Sequence, residues 1–234
     1  LSSAVPLFLA ETSMHSAPAT PFTPKPARLK KVPAAILALL VAVGLGVWGY
    51  SAWVRPNISP RNYGVVDPGK LYRSAALTPA AVRLVHRRDG IRTIVDLGGF
   101  DKNPAGGRIA QRTAAALGID RFVFELEGDG TGNPNAYVAA LTIINDPARQ
   151  PVLVHCSSGA QRTSGCVMLY KDLVLGQPLD ETYPEASEYR HDPARNPKLL
   201  PFVKEYETRI AEALNSGSAI DGFPAMKIEP VTGE

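Results

Sequence analysis

The residues of this chain best suited to chemistry lie in one stretch, Pro151-Val-Leu-Val-His-Cys-Ser-Ser-Gly-Ala-Gln-Arg-Thr163, where a cysteine and an arginine stand six positions apart. A thiol attacks as its thiolate, and a helix N-terminus beside a cation stabilises that form. The spacing puts Cys156 just before such an N-terminus. Val152 to Val154 is a short apolar run that reads as a buried strand. Thr163 to Leu175 carries Cys166, Leu169, Tyr170 and Leu173 on one face, the pattern of a helix. Between them, the amides of Ser157, Ser158, Gly159, Ala160, Gln161 and Arg162 can curl into a nest for phosphate oxygens, as helix N-termini and backbone concavities do for anions. Gly159 allows a turn with positive φ and a close approach to the anion. Arg162 offers a planar fork that can hold two phosphate oxygens. Thr163 can donate its hydroxyl towards the sulfur and hold the charge that returns to Cys156 when it leaves. His155 is placed to bond backbone near the nucleophile. The bland alternative is a buried structural cysteine in an ordinary strand, loop and helix, but such cysteines seldom come with this loop.

The pattern His-Cys-x-x-Gly-x-x-Arg-Thr is similar to the signature of the cysteine-dependent phosphatases. Over residues 57–210 the chain resembles the protein tyrosine phosphatase superfamily, in particular its compact dual-specificity-like members, many of them bacterial. The resemblance implies an α/β fold with a mostly parallel central sheet flanked by helices, and the loop at the C-terminal end of the Val152–Val154 strand. It also implies hydrolysis of a phosphate monoester through a phosphocysteine, without metal or other cofactor. Relatives place the general acid in a glycine-rich loop, here Glu125-Leu-Glu-Gly-Asp-Gly-Thr-Gly-Asn-Pro134. Asp129, 27 residues before Cys156, is the candidate acid, and Glu127 is its rival. A carboxyl is needed there because the leaving oxygen departs faster if protonated as the P–O bond breaks, and the same group can then deprotonate water.

The chain departs from the family in two places. The Trp-Pro-Asp triplet of larger tyrosine phosphatases is absent, since Gly128 precedes Asp129, and Ser164 then Gly165 follow Arg-Thr where relatives commonly have glycine directly. The variable loop positions Ser157, Ser158, Ala160 and Gln161 are uncharged, whereas relatives acting on highly phosphorylated inositols often carry lysine there. That disfavours a very anionic substrate.

The surrounding elements must hold this constellation. Asn62 to Ala75 reads as two short strands about an Asp-Pro-Gly turn at 67–69. The second, Leu71 to Ser74, resembles the opening strand of the bacterial members, and its Arg73 either buttresses the loop or is a plain edge-strand arginine. Thr78 caps a helix that Gly90 stops. Ile91 to Leu97 is a strand, with Asp96 expected to hold a loop at its end. A helix over about Arg108 to Leu117, stopped by Gly118, precedes a strand from Arg121 to Leu126. Asn133 caps a helix to Asn145, with Pro134 at its first position. Two more helices follow near Leu179–Tyr189 and Pro197–Leu214. Cys166 reads as a core residue, with a reversible disulfide to Cys156 as the other option. His15, His86 and His191 lack metal-ligand spacing.

Pro33 to Val54 is the second strong signal: 22 residues without charge. About 20 apolar residues cross a bilayer's hydrocarbon core. Trp48, Tyr50 and Trp53 gather at one end, where an aromatic belt sits, and Lys25, Arg28, Lys30 and Lys31 precede it. The expectation is a single-pass membrane protein with its catalytic domain extracytoplasmic. A cleaved signal peptide fits less well, because Tyr50-Ser51-Ala52 makes a poor cleavage site. The domains expected are a disordered segment 1–32, a transmembrane helix 33–54, a linker 55–61, a phosphatase domain 62–214 and a flexible tail 215–234. Met14 is a candidate start.

Charge excludes one class of partner. Residues 1–55 hold five basic side chains against one acidic, and the remainder holds 20 against 21. The sequence pI near 8.9 therefore reflects the N-terminal segment, and the domain is not a basic nucleic-acid binder. The partners expected are a phosphorylated protein, lipid or small molecule, with the membrane reached through residues 33–54. Two other readings stay open: a catalytically silent phosphate-binding module, and a sulfur-transfer or arsenate-reducing enzyme on a similar loop.

Overall fold

The computed structural model describes residues 34–232. The expected disorder of 1–32 falls outside them. Contacts divide the chain into Leu1–Ala42 and Val43–Glu234.

Helix α1 runs from Ala34 to Ile58, with a mean hydropathy of 2.0 over its most apolar window and none of that window buried. Its length and composition suit a membrane span, a test that a signal sequence also passes. Leu39, Trp48 and Trp53 stand 62%, 63% and 72% exposed. The helix passes through one π turn at Tyr50–Val54, where the Arg55 N–H reaches back to the Tyr50 carbonyl. Pro56 supplies the cause: its ring cannot sit over the carbonyl four residues back, and a wider turn absorbs the clash. The expected linker at 55–61 is thus helical as far as Ile58.

Five strands form one sheet in the order β1-β2-β5-β3-β4, namely β1 (Gly64–Asp67), β2 (Leu71–Ala75), β3 (Thr93–Asp96), β4 (Asp120–Val123) and β5 (Val152–Cys156). Only the β1–β2 pair is antiparallel; β5 lies parallel to both β2 and β3, at the sheet's centre. Central parallel strands are buried on both faces, which explains the unbroken apolar run of β5. The two faces alternate along it. Val152, Val154 and Cys156 pack into one core cluster, while Leu153 belongs to the other, with Tyr72, Val82, Val85 and Ile94. Cys156 therefore faces the helices α4 (Asn135–Asn145), α5 (Gln161–Leu173) and α7 (Leu199–Ser216). Helices α2 (Pro79–Asp89) and α3 (Pro104–Ala116) supply Val82, Val85 and Ala114 to the opposite cluster.

The element ends follow local chemistry, with several shifts from expectation. Thr78 caps α2 by accepting the Ala81 N–H at 3.2 Å, and Gly90 ends it at φ 71°. Strand β4 stops at Val123, three residues short. Helix α4 begins at Asn135 with Pro134 at the capping position, although the Asn133 side chain still accepts the Asn135 N–H at 2.9 Å. The helix expected near Leu179–Tyr189 is one α turn, α6 (Leu179–Thr182), continued as 3₁₀ turns over Tyr183–Tyr189, because Pro184 cannot donate to an α ladder.

The expected loose tail is instead laid along the domain as far as it is described. Ile220 is buried, and its N–H donates to Asn135 Oδ1 at 2.8 Å. The Val231 N–H donates to the Arg121 carbonyl at 2.7 Å, so the tail pairs with the outer edge of β4. Covering an open strand edge satisfies backbone groups that would otherwise face water.

Candidate active site

The loop from Cys156 to Gln161 joins the central strand to helix α5, at the C-terminal end of the parallel strands where open α/β sheets gather their ligand sites. Helix α5 begins at Gln161, two residues earlier than its apolar pattern indicates, so Arg162 and Thr163 stand in its first turn.

Three successive carbonyls of the loop point away from its centre. Ser157 accepts from the Ala76 N–H at 3.3 Å, Ser158 from Asn62 Nδ2 at 2.8 Å, and Gly159 from Arg73 Nη2 at 2.9 Å. In a planar trans peptide the C=O and the following N–H point in opposite directions. The amides of Ser158, Gly159 and Ala160 are therefore turned inwards. The middle one is caught directly, with the Gly159 N–H donating to Cys156 Sγ at 3.2 Å. Donors converging on one point, at the start of a 13-residue helix, favour negative charge there.

Gly159 is obligatory. Its φ is 71°, and a Cβ on it would lie 2.6 Å from the carbonyl carbon and oxygen of Ser74, backbone of the neighbouring strand β2. The loop is packed flat against β2 only because that atom is missing.

Arg73 buttresses the loop, the first of its two sequence readings. It is buried, donates also to Ser164 Oγ at 2.8 Å, and stacks 3.6 Å over the Tyr189 ring. Burial lowers its pKa to about 10, with Tyr189 and Cys156 opposing that shift. A cation held under the loop adds to the positive field beneath Cys156.

Arg162 is anchored by one nitrogen. Its Nη1 donates to the Gly98 carbonyl at 2.6 Å and lies 3.4 Å from both the Leu126 carbonyl and Asp101 Oδ2. Its Nε is buried without a partner, and so is Thr163 Oγ1. The hydroxyl contact from Thr163 to the sulfur is thus not made in this arrangement. Buried polar atoms without partners are uncommon, and two beside one anion nest match the donors an oxyanion would meet.

Asp129 sits in the loop between β4 and α4, which touches helix α5. The neighbouring Gly130 packs against Gln161 and Leu199, and its carbonyl accepts from the Tyr137 hydroxyl at 2.7 Å. Asp129 Oδ1 accepts from the Thr131 hydroxyl at 2.7 Å and the Thr131 N–H at 3.1 Å, and Lys198 Nζ lies 3.3 Å from Oδ2. Burial pushes its pKa up, but the bonds from Thr131 and Lys198 outweigh burial and hold it below the ordinary carboxylate value. Glu127 is exposed in the same loop and offers its N–H to the Thr131 carbonyl at 3.0 Å.

His155 faces away from Cys156, on the opposite side of β5. Its Nδ1 is 3.4 Å from the Cys156 carbonyl and its Nε2 is 3.8 Å from Asp96. Burial lowers its pKa, with Asp96 opposing, which favours the neutral ring. Asp96 holds the strand end as expected, accepting from the Gly99 N–H and from Arg121 Nη2, both at 2.5 Å. That bond shapes the Gly98–Asp101 turn against which Arg162 rests.

Several contacts were not foreseen. Asp101 reaches Arg162, Asn62 ties Ser158 to the Tyr189 carbonyl at 3.0 Å, and buried His191 links Gln161 Oε1 to the Tyr183 hydroxyl. Only the Gly98-Gly99-Phe100-Asp101 turn carried a local hint, as a turn closing a strand. Cys166 is fully buried and unpaired on the core face of α5. Among the described residues, no group of three or more His, Cys, Asp or Glu side chains is arranged to hold a metal ion.

Comparison with known proteins bears on the same region. Residues 64–197 match the family model described as "DSP-PTPase phosphatase fused to NAD+ Kinase". The core catalytic domain of the PP-IP phosphatase SIW14 from S. cerevisiae, solved with citrate, superposes with a TM-score of 0.55 at 23% identity over 68% of this chain and 95% of that chain. TpbA from P. aeruginosa gives 0.53 at 21% identity, over 66% and 91%. A mutant form of Tk-PTP gives 0.53 at 19% identity, over 64% and 97%. At these identities the likeness is one of fold. No curated protein matches the chain in sequence.

Proposed function

The chain belongs to the DSP-PTPase family of phosphatases, and from that premise we propose that it hydrolyses phosphate monoesters without metal, through a phosphocysteine on Cys156. The observation that carries this reading is the inward turn of the loop amides onto Cys156 Sγ, with the unpartnered donors of Arg162 and Thr163 beside it.

The steps use this chain's own groups. Cys156 Sγ attacks phosphorus in line with the leaving oxygen, so an S–P bond forms as the P–O bond breaks. The amides of Ser158, Gly159 and Ala160, with Arg162, hold the three equatorial oxygens, where charge is spread in the transition state. Asp129 gives its proton to the leaving oxygen. Its carboxylate then takes a proton from water, whose oxygen attacks phosphorus and expels the thiolate as inorganic phosphate forms. The Thr163 hydroxyl, unpartnered before the reaction, turns to the sulfur as it regains charge. Lys198 and Thr131 favour the ionised Asp129 that the second step needs. The incoming phosphate, itself anionic, favours the protonated form that the first step needs.

Residues 62–214 form the catalytic domain in this reading, and residues 33–54 anchor it to the membrane with the domain on the extracytoplasmic side. The test is hydrolysis of p-nitrophenyl phosphate by the full chain in detergent with chelator present. Cys156→Ser is expected to be inactive and Asp129→Asn slowed by roughly 10²- to 10⁴-fold, the usual worth of general acid–base catalysis. Activity in Cys156→Ser equal to wild type would refute the thiolate mechanism. Thiosulfate sulfur-transfer activity without phosphatase activity would favour the sulfur-transfer reading.

A further inference from the structure

Among the described residues, two that are not glycine adopt a positive φ: Asn62 at 53° and Arg190 at 69°. Such conformations cost free energy and persist where surrounding structure over-determines them, most often at functional sites. Both residues line the same cavity, of about 570 Å³.

That cavity is also lined by Arg55, Arg61 and Ser157. Ser157 belongs to the catalytic loop, so the cavity opens beside it. Arg55, Arg61 and Arg190 are exposed, and among the described residues none of the three is in an ion pair. No carboxylate lines the cavity. Three uncompensated cations around one concavity make a positive potential that concentrates anions. The walls are fastened together. Asn57, one helical step from the lining, accepts from the Thr78 hydroxyl at 2.6 Å, and Asn62 Nδ2 donates to both Ser158 and Tyr189 carbonyls. The cations missing from the uncharged catalytic loop thus stand in the adjoining cavity.

Arg55 directly follows the 22-residue uncharged run. Where that run crosses a bilayer, Arg55 stands at headgroup level. We propose that this cavity is a second anion subsite, holding the phosphodiester of a membrane phospholipid whose headgroup ends in the phosphomonoester cleaved at Cys156. The proposal rests on the catalytic reading above and names its substrate class. The chemistry dictates the order of the two sites. In such a lipid the diester lies next to the acylated glycerol, nearest the membrane, and the monoester lies further out. The cavity adjoins the end of α1, and the catalytic loop lies beyond it. Hydrolysis adds one water, releases inorganic phosphate and leaves the headgroup alcohol with its diester intact.

The test compares the full chain with the triple variant Arg55→Gln, Arg61→Gln, Arg190→Gly, in phosphatidylcholine vesicles. Glycine accepts φ 69° without strain, so Arg190→Gly removes charge without opposing the backbone. Three substrates are used: p-nitrophenyl phosphate, phosphatidylglycerophosphate in the vesicles, and its deacylated, water-soluble headgroup. A charge-assisted hydrogen bond to an anion is worth roughly tenfold. The triple variant is therefore expected to lose about tenfold or more in kcat/KM on both the lipid and the free headgroup, while p-nitrophenyl phosphate turnover stays the same. Equal kcat/KM for the two proteins on all three substrates overturns the proposal. A loss on vesicles alone also overturns it, because the arginines then bind the membrane surface and not the substrate. A doubly phosphorylated peptide that shows the arginine-dependent gain when the lipid does not assigns the cavity to protein substrates and overturns the lipid. If wild type fails on p-nitrophenyl phosphate, the catalytic reading falls separately. Calorimetric binding of the deacylated headgroup then decides the cavity, which must bind it in wild type and lose it in the triple variant.

Discussion

Gly90 and Gly159 share one positive φ, 71°, and differ in what surrounds them. A Cβ at Gly90 would meet nothing within 4 Å, whereas one at Gly159 would lie 2.6 Å from the Ser74 carbonyl group and 2.7 Å from the Ala75 nitrogen. Replacing each by alanine therefore separates conformational cost from contact cost. The left-handed conformation costs an alanine roughly 1–2 kcal/mol in both variants. Only Gly159→Ala adds overlap. Carbon atoms rest at about 3.5–4.0 Å, so the loop must lift from β2 by on the order of 1 Å. Such overpacking adds roughly 1–3 kcal/mol, for a total of about 2–5 kcal/mol. The loop that lifts is the one whose amides face Cys156, and a misplacement of about 1 Å costs on the order of 10²-fold in rate. Urea unfolding of the full chain in detergent reads the first quantity, and kcat/KM on p-nitrophenyl phosphate reads the second. Gly90→Ala is expected to lose about 1–2 kcal/mol with unchanged activity. If Gly159→Ala matches Gly90→Ala in both measurements, the loop does not lie flat on β2, and the inward turn of its amides has lost its structural cause.

Three further outcomes follow from the same geometry. Lys198→Ala removes a bond that favours ionised Asp129, so its pKa moves up; because the proposed first step uses protonated Asp129, the basic limb of the kcat/KM profile is expected to move to higher pH, and an unmoved limb would mean that another group donates the proton. Arg73→Met removes the bonds to the Gly159 carbonyl and Ser164 Oγ, leaving a buried carbonyl unpaired; it is expected to cost about 1–3 kcal/mol in urea unfolding and to lower kcat more than it changes KM, and an unchanged kcat would reduce Arg73 to packing. Burial pushes Cys166 up to about 12, against the pull of Arg73, so iodoacetamide should leave Cys156→Ser unlabelled until the chain is unfolded, as read by mass spectrometry.

The order of the two strong signals, an apolar helix and then a Cys-x-x-Gly-x-x-Arg loop between strand and helix, was legible because both are local. An uncharged run reports its own length, and a loop whose glycine needs one φ and whose arginine needs one spacing is written in consecutive residues. The same locality revealed the caps at Thr78 and Gly90. Local pattern failed where the deciding force came from elsewhere in the chain. Helix α5 starts at Gln161, because loop contacts to Asn62, Ala76 and Arg73 fix the turn before it, and none of these residues is near it in sequence. The tail has no periodicity of its own, yet it lies against Asn135 and the open edge of β4, whose unpaired backbone attracts it.

The sequence by itself determined which residue types meet at the Cys156–Arg162 loop, since the chemistry proposed there depends on spacing along a few residues. Tertiary structure alone decided what surrounds them. The choice between two roles for Arg73 was settled by β2 lying beside β5, which brings its guanidinium under the Gly159 carbonyl. Asp101 meets Arg162 only because β3 lies on the other side of β5 and ends in the turn held by Asp96. Arg55 and Arg61 are close along the chain, but Arg190 is far from both, and its charge joins theirs only where the end of α1, the start of the domain and the end of the 3₁₀ segment close around one cavity. Like charges repel, so no local pattern brings Arg190 to the other two; the packing of uncharged neighbours does.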